Sequence, residues 1–245
     1  IHFQNHTMIV LTLAGSSSRF FKEGYRQVKY KLPLNDGRSI IETIIDELPK
    51  DQHVIFVINR KFNDFDFFKN LLVNKQIEYS IVEVNDTEGQ LKTVELALSE
   101  LSESLLLTDS LVVFNGDTLR FDKFEEVVTR LPLLGGNVKG LIEVVEEEGQ
   151  HWSFVDKLGS VNRVTEKERI SNLCSTGLYV FESISYFLNI SASSTMVKDE
   201  HYIAPLYNHI INNGYVVKSY AIDRDKIEFL GTPSEYNKFL SEAGK

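Results

Sequence analysis

The sequence predicts an α/β fold, a three-layer α/β/α sandwich around a mixed, mainly parallel central sheet, and three observations carry that prediction. Between residues 8 and 114, short apolar or β-branched runs alternate with segments of helical hydrophobic spacing. Strands separated by helices have to cross over and lie parallel. Two of the strand runs, 8–13 and 111–114, are apolar enough to be buried strands. Both stop abruptly, at Gly15-Ser16-Ser17-Ser18 and at Asn115-Gly116-Asp117. Polar residues then sit at strand carboxyl ends, where open Rossmann-like sheets hold their ligands.

Each element follows from local chemistry. Residues 1–7 lack a pattern and are read as a lead-in without function. After the strand at 8–13, Asp36-Gly37 forms a turn, and Ser39 with Glu42 forms a capping box for a helix. Ile40, Ile41, Ile44, Ile45 and Leu48 share one face of that helix, and Pro49 stops it. A strand at 54–58, a helix at 63–73 and a strand at 79–84 follow. The next helix, led in by Asp86 to Gln90, carries Val94, Ala97, Leu98 and Leu101 at helical spacing. A central strand at 111–114 and a helix at 123–131 close this half. Beyond Gly135-Gly136 the chain is richer in strands, at 138–145, 152–156, 161–165 and 173–181. Glu200 opens a helix that Asn213-Gly214 stops, 215–221 is a strand, and Thr232, Pro233 and Glu235 start the last helix with a second capping box. No Pro/Ser-rich linker separates the halves. The expectation is therefore one domain over 1–245, with an alternating α/β half at about 8–135 and a strand-rich half at about 136–245.

Composition narrows the function classes. The 245 residues carry a net charge of −9 and are 42% hydrophobic, enough for a substantial core. An acidic chain is poorly suited to general nucleic-acid binding, which draws on clustered positive charge. The single cysteine, Cys174, excludes a disulfide framework within the chain and reads as a buried strand residue. No apolar run approaches a membrane span, and nothing resembles a secretory signal. The expectation is a soluble, cytoplasmic protein with no nucleic-acid or membrane partner, and a homo-oligomer stays open. His201 and His209 lack a third nearby ligand, so zinc is not expected. Glu146-Glu147-Glu148 is read as a solvated loop.

Against this acidic background, residues 19–31 reverse sign: Arg19, Lys22, Arg26, Lys29 and Lys31 face the single acid Glu23. Gly15 permits close backbone approach and the serines add donors, so this stretch reads as a polyphosphate site. Leu13-Ala14-Gly15-x-x-Ser18-Arg19-Phe20, followed by Gly24-Tyr25, Lys29 and Leu32-Pro33-Leu34, resembles the signature loop of the sugar-phosphate nucleotidyltransferases, which have a GT-A-like fold. Val28 stands where that family usually has Pro, and Ser16-Ser17 replace a second Gly.

The resemblance implies that Leu13, Ala14, Gly15 and Ser18 wrap the nucleotide, Arg19 holds pyrophosphate, and Lys29 bridges the nucleotide and acceptor phosphates. Gly89 and Gln90 correspond to a base-contacting turn, although an ordinary strand-to-helix turn accounts for them equally. Asn115-Gly116-Asp117 matches the metal-binding strand end, with Asp117 as the Mg²⁺ ligand, a role that suits a carboxylate beside phosphate oxygens. Glu166 and Lys167 correspond to a pair that holds the acceptor, and Gly177 to a strand lining its pocket. Surface charge and backbone packing are the competing accounts of those three. Glu200-x-Tyr202-x-x-Pro205-x-Tyr207-Asn208 looks like the branch associated with capsular or surface polysaccharide, its tyrosines serving either acceptor stacking or core filling. Where many relatives place a second metal-binding Asp stands Phe229, with Glu228 and Asp223 as substitutes. The implied partners are an NTP and a phosphorylated small-molecule acceptor, which makes 8–135 the nucleotide-binding half and 136–245 the acceptor-binding half. A nucleotide-sugar-dependent glycosyltransferase and a catalytically idle subunit of the same fold are the alternatives.

Overall fold

The computed structural model describes residues 6–242. The chain runs through β1 (Thr7–Leu13), α1 (Ser18–Lys22), α2 (Ile40–Glu47), β2 (His53–Asn59), α3 (Phe65–Leu72), β3 (Glu78–Val84), α4 (Gln90–Glu100) and β4 (Ser110–Phe114). It continues through β5 (Thr118–Arg120), α5 (Glu125–Arg130), β6 (Val138–Glu146), β7 (Ser153–Val155), β8 (Gly159–Ser160), β9 (Val164–Glu166) and β10 (Leu173–Phe181). It closes with α6 (Ile184–Ser191), α7 (Leu206–Asn212), β11 (Val216–Ala221), β12 (Ile227–Phe229) and α8 (Pro233–Glu242).

The main sheet has the spatial order β3-β2-β1-β4-β10-β6-β11-β8. The first four strands are parallel, as their helical crossovers demand. β10 runs antiparallel to both β4 and β6, β11 lies parallel to β6, and β8 returns antiparallel along the edge. β7 and β9 hang from β10 as a short side ladder. The architecture is thus the expected α/β sandwich with a mixed, largely parallel sheet.

Side chains of β1 alternate between two cores. Met8 and Val10 face α4, α6 and α7, where Leu91, Val94, Phe187 and Ile210 cover them. Ile9, Leu11 and Leu13 face the opposite layer, where α2 and α3 supply Ile40, Ile41, Ile44, Phe68 and Leu72. Each such side chain contributes about 1.5–3 kcal/mol by leaving water. Burial on both faces matches the interior position of β1, between β2 and β4. Both capping boxes form: the Ser39 N–H donates to Glu42 Oε2 at 2.7 Å, and the Thr232 N–H to Glu235 Oε2 at 3.0 Å.

Several boundaries differ from expectation, each for a local reason. Thr7 belongs to β1, its N–H held by Gln52 Oε1 at 3.0 Å, while residues 1–5 of the expected lead-in lie outside the described residues. α3 begins at Phe65 because Asn63, at φ 55°, ends a preceding 3₁₀ turn. α5 begins at Glu125 because Lys123 and Phe124 both have left-handed backbone, and β9 spans only 164–166. α7 begins at Leu206 instead of Glu200, since His201 is bonded across to the start of α4, its N–H donating to Glu88 O at 2.7 Å and its O accepting from the Leu91 N–H at 3.1 Å. The antiparallel ribbon of β5 with β12 was not foreseen. Among the described residues, no helix is long and apolar enough to cross a membrane.

Candidate active site

The strand order reverses between β1 and β4: from β1 the chain builds outward through β2 and β3, then returns to place β4 on the other flank. Leu11 pairs with Phe114, so the turns that follow the two strands lie side by side at the carboxyl edge. Such a switch point opens a crevice for ligands. The loop after β1 is tied down by Asn59, whose Nδ2 donates to Ala14 O at 3.0 Å and to Asp86 Oδ1 at 2.7 Å. A Cβ on Gly15 would meet nothing within 4 Å, which leaves its backbone open to the crevice. Ser17, buried and at φ 54°, accepts the Lys29 N–H on its Oγ at 3.1 Å. That bond sets Lys29 against the loop, and its Nζ donates to Asp117 Oδ2 at 2.7 Å. Both side chains remain partly open to solvent, at 26% and 20%.

The opposite wall comes from an irregularity in β10. Ser175 pairs with Val144 but Tyr179 with Ile142, so Thr176 and Gly177 fall within a bulge. Bulges bend a strand and re-aim what it carries. Gly177 lies at φ 84°, and a Cβ there would stand 2.1 Å from Asn115 Nδ2. Only glycine allows this approach. The Asn115 N–H in turn donates to Gly177 O at 3.3 Å, locking the bulge to the turn that carries Asp117.

Two adjoining cavities result. One, of about 290 Å³, is lined by Arg19, Lys29, Gln90, Asn115 and Asp117 at one end, and by Ser153, Glu166, Thr176, Gly177, Tyr179, Tyr202, Phe229 and Glu235 elsewhere. The other, of about 610 Å³, is lined by Thr12, Ala14, Gly15, Ser16, Thr87, Gly89 and Glu200 and shares Lys29, Gln90, Asn115 and Asp117 with the first. The Lys29–Asp117 pair stands where they meet.

Most sequence-nominated residues therefore converge, but four do not line either cavity. Leu13 is buried, and its Cδ2 fills the space where a Cβ on Gly116 would lie, 2.4 Å away; these two shape the turn from beneath. Ser18 is exposed at the start of α1, and its neighbour Ser17 makes the contact to Lys29. Lys167 donates to the Tyr202 hydroxyl, its ammonium 4.3 Å above that ring, and lies 3.9 Å from Glu166. Tyr207 is core, its hydroxyl bonded to β-strand backbone at Leu141 and Val180, whereas Tyr202 does line the cleft. Gly89 owes its identity to a close approach: a Cβ would stand 2.6 Å from His201 O.

Electrostatics separate the two ends. Glu166 is nearly buried, and burial raises its pKa against the opposing pull of the Ser153 hydroxyl, 2.5 Å away, and of Lys167. Burial, reinforced by Glu166, pushes the Tyr179 phenol up to about 12, which keeps it a neutral hydrogen-bonding group. At the other end Arg19 and Lys29 supply positive charge.

For a metal, Phe229 offers nothing: it packs on Trp152, with ring centroids 4.7 Å apart. Glu228 and Asp223 lie towards Arg224 and Lys226 and line neither cavity. Glu235, which sequence reasoning used only as a helix cap, does line the cleft. A Cβ on Gly231 would stand 2.9 Å from Asp117 Oδ2 and 3.6 Å from Glu235 Oε2, so the two carboxylates flank one glycine. Among the described residues, no group of three or more His, Cys, Asp or Glu gathers as a metal site.

Residues 8–239 match the family model of the nucleotidyl transferases. The chain belongs to the nucleotidyl transferase family. A solved nucleoside-diphosphate-sugar pyrophosphorylase from Vibrio cholerae RC9 is 32% identical to this transferase, with 96% of this chain and 100% of that one covered and a TM-score of 0.84. Two more distant structures share the fold. A UDP-glucose pyrophosphorylase complexed with UDP-glucose is 14% identical, with a TM-score of 0.75 and 98% of both chains covered. An inositol-1-phosphate CTP transferase from T. maritima is 15% identical, with a TM-score of 0.70, covering 100% of this chain and 98% of that one. No curated protein sequence matches the transferase. It is an enzyme of the nucleotidyl-transferring class, in which an NTP and a phosphate monoester give a nucleotide-diphospho product and pyrophosphate.

Proposed function

We propose that this transferase joins an NTP to a sugar 1-phosphate or a similar phosphate monoester, in surface or capsular polysaccharide synthesis. The observation that carries this reading is the Lys29–Asp117 pair at the junction of two cavities. One cavity offers open loop backbone at Ala14 and Gly15 with Gly89 and Gln90 nearby, as a nucleotide needs. The other offers Glu166, hydroxyls and the Gly177 bulge, as a polyhydroxylated acceptor needs, with Lys167 set back behind Tyr202. The polysaccharide assignment rests on the resemblance of residues 200–208 alone.

In the proposed reaction an acceptor phosphate oxygen attacks the α-phosphorus in line. The new P–O bond forms as the bond from the α-phosphorus to the β-bridging oxygen breaks, and pyrophosphate leaves with that electron pair. No covalent enzyme intermediate is required. Transfer between two anions depends on positioning and on offsetting charge. Lys29 would touch both phosphates, and Arg19 would hold the departing pyrophosphate.

Asp117, with Glu235 beside it, would hold Mg²⁺. This donor set suits the ion, because Mg²⁺ is commonly bound through one or two carboxylates while phosphate oxygens and water complete its octahedron. When bound it neutralises phosphate charge. The test is a matrix of nucleoside triphosphates against phosphate monoesters with Mg²⁺, read by pyrophosphate release. Release with one nucleotide–acceptor pair supports the proposal. Consumption of a nucleotide sugar without pyrophosphate would instead support a glycosyltransferase.

A further inference from the structure

Directly beneath the cleft lies a group of charges that none of the proposed chemistry uses. Arg120 on β5 and Glu143 on β6 have no solvent exposure at all. The guanidinium grips the carboxylate with both arms, Nη1 to Oε1 at 2.5 Å and Nη2 to Oε2 at 2.9 Å. Nη2 also reaches Asp122 Oδ2 at 3.0 Å, and the Arg120 N–H donates to Glu47 Oε2 at 2.8 Å. A buried ion pair of this kind is weak evidence for stability, because desolvation offsets most of its attraction and apolar replacements are often tolerated.

Its connections give it another role. Glu143 Oε1 accepts a second hydrogen bond, from the Thr176 hydroxyl at 2.7 Å. Thr176 belongs to the β10 bulge and lines the cleft. From the bulge, contact passes through Gly177 to Asn115, two residues before Asp117. On the other side, Arg120 ends the short strand that starts one residue after Asp117, and the Leu230 N–H holds Asp117 O at 2.8 Å. Both routes from Glu143 thus end at Asp117, one by each wall of the cleft.

We infer that Glu143 is a positioning residue: its buried carboxylate clamps the β10 bulge, through Thr176, to the strand that directly follows Asp117, through Arg120, and so sets the distance between acceptor and nucleotide. The inference rests on the proposed reaction for its kinetic consequence, but not for its geometry. Errors of about 1 Å in the placement of reacting groups lower turnover by roughly 10²-fold. The clamp acts on that dimension.

The experiment compares Thr176→Val, Thr176→Ser, Glu143→Gln and the Thr176→Val/Glu143→Gln double variant with the parent, by steady-state kinetics and by crystal structures. The Val variant keeps its fold, and its kcat falls at least tenfold while KM for the NTP changes less than threefold. The Ser variant, which retains the hydroxyl, stays close to the parent. The double variant loses no more than the worse single variant, since both changes break one connection. In the crystal, Gly177 moves relative to Asp117 in the Val variant and stays in place in the Ser variant. Parental kcat in the Val variant, additive losses in the double variant, or an unmoved Gly177 would each overturn the inference. A parent that turns over no substrate, but whose Val variant shows the displacement, would count against the proposed function and leave the clamp standing.

Discussion

Lys29 is the residue on which the proposed chemistry converges. Its ammonium is held to Asp117 at 2.7 Å, and its backbone is anchored by Ser17, so a change in its side chain leaves the fold intact. Lys29→Ala should lower pyrophosphate release by about 10²–10³-fold, the scale typical of losing one charge-stabilising group, with an unchanged circular dichroism spectrum. Gly177 makes the opposite case, in which side-chain atoms must be absent. Gly177→Ala would force a Cβ to 2.1 Å from Asn115 Nδ2 at φ 84°. Backbone strain alone is worth about 1–3 kcal/mol, so the variant should show a lowered Tm together with impaired turnover. Arg19 and Lys29 were singled out by the basic cluster and its resemblance to the signature loop, and Asp117 by the resemblance of Asn115-Gly116-Asp117; the three line one cavity. Glu235 was not singled out, since the capping box that it completes is a sufficient reason for a glutamate at that place. Lys167 was nominated with Glu166 by the resemblance to a pair that holds the acceptor, but it lies just beyond β9 with left-handed backbone at φ 59°, and its ammonium is taken up by Tyr202.

Among the elements, helix starts were read where side chains close hydrogen bonds over three residues. Ser39 and Glu42 illustrate this: the box depends on sequence spacing and nothing else. Ser39→Ala should lower stability by about 1 kcal/mol, in the range of lost N-caps, seen as a lower urea midpoint at constant m-value, while turnover is unchanged. The start of α7 was misread because the Glu200 N–H bonds back to Val197 O and the His201 backbone bonds to Glu88 O and the Leu91 N–H at the start of α4, which holds both residues outside a helix. The β5–β12 ribbon could not be read at all. Its strands are three residues each, and the buried Arg120 looks like a surface residue until Glu143, 23 positions later, is seen to face it. Long-range ion pairing leaves no local pattern.

At the scale of the whole molecule, the alternation of strands and helices specified the parallel sheet, and the carboxyl ends of β1 and β4 specified where the crevice lies. What the order of elements could not specify was the inversion at β10, because a strand buried on both sides reads alike in either direction. The buried charges also couple the molecule to pH. Burial, aided by Asp122, raises the Glu47 carboxyl to about 7, against the pull of the Arg120 N–H and guanidinium. The folded state therefore holds a proton that the unfolded chain releases near its ordinary value of 4.5. Stability from this group is greatest at or below that ordinary value, declines as pH rises towards 7, and is constant above it. The change is on the order of 3 kcal/mol. Glu47→Gln should accordingly be more stable than the parent at pH 8 and lose most of that advantage at pH 4.5, measured by urea unfolding at both values. An advantage equal at the two values would show that Glu47 does not hold the proton.

The central claim is that the loop after β1, its neighbouring cations and Asp117 hold a magnesium-bound triphosphate. Calorimetric titration of the parent and of Asp117→Asn with an NTP, in the presence and absence of Mg²⁺, tests it most directly. The account predicts binding by the parent that is strengthened by Mg²⁺, and a loss of at least tenfold in that strengthening when Asp117 becomes Asn. Equal affinity in both proteins, whether or not Mg²⁺ is present, would contradict it.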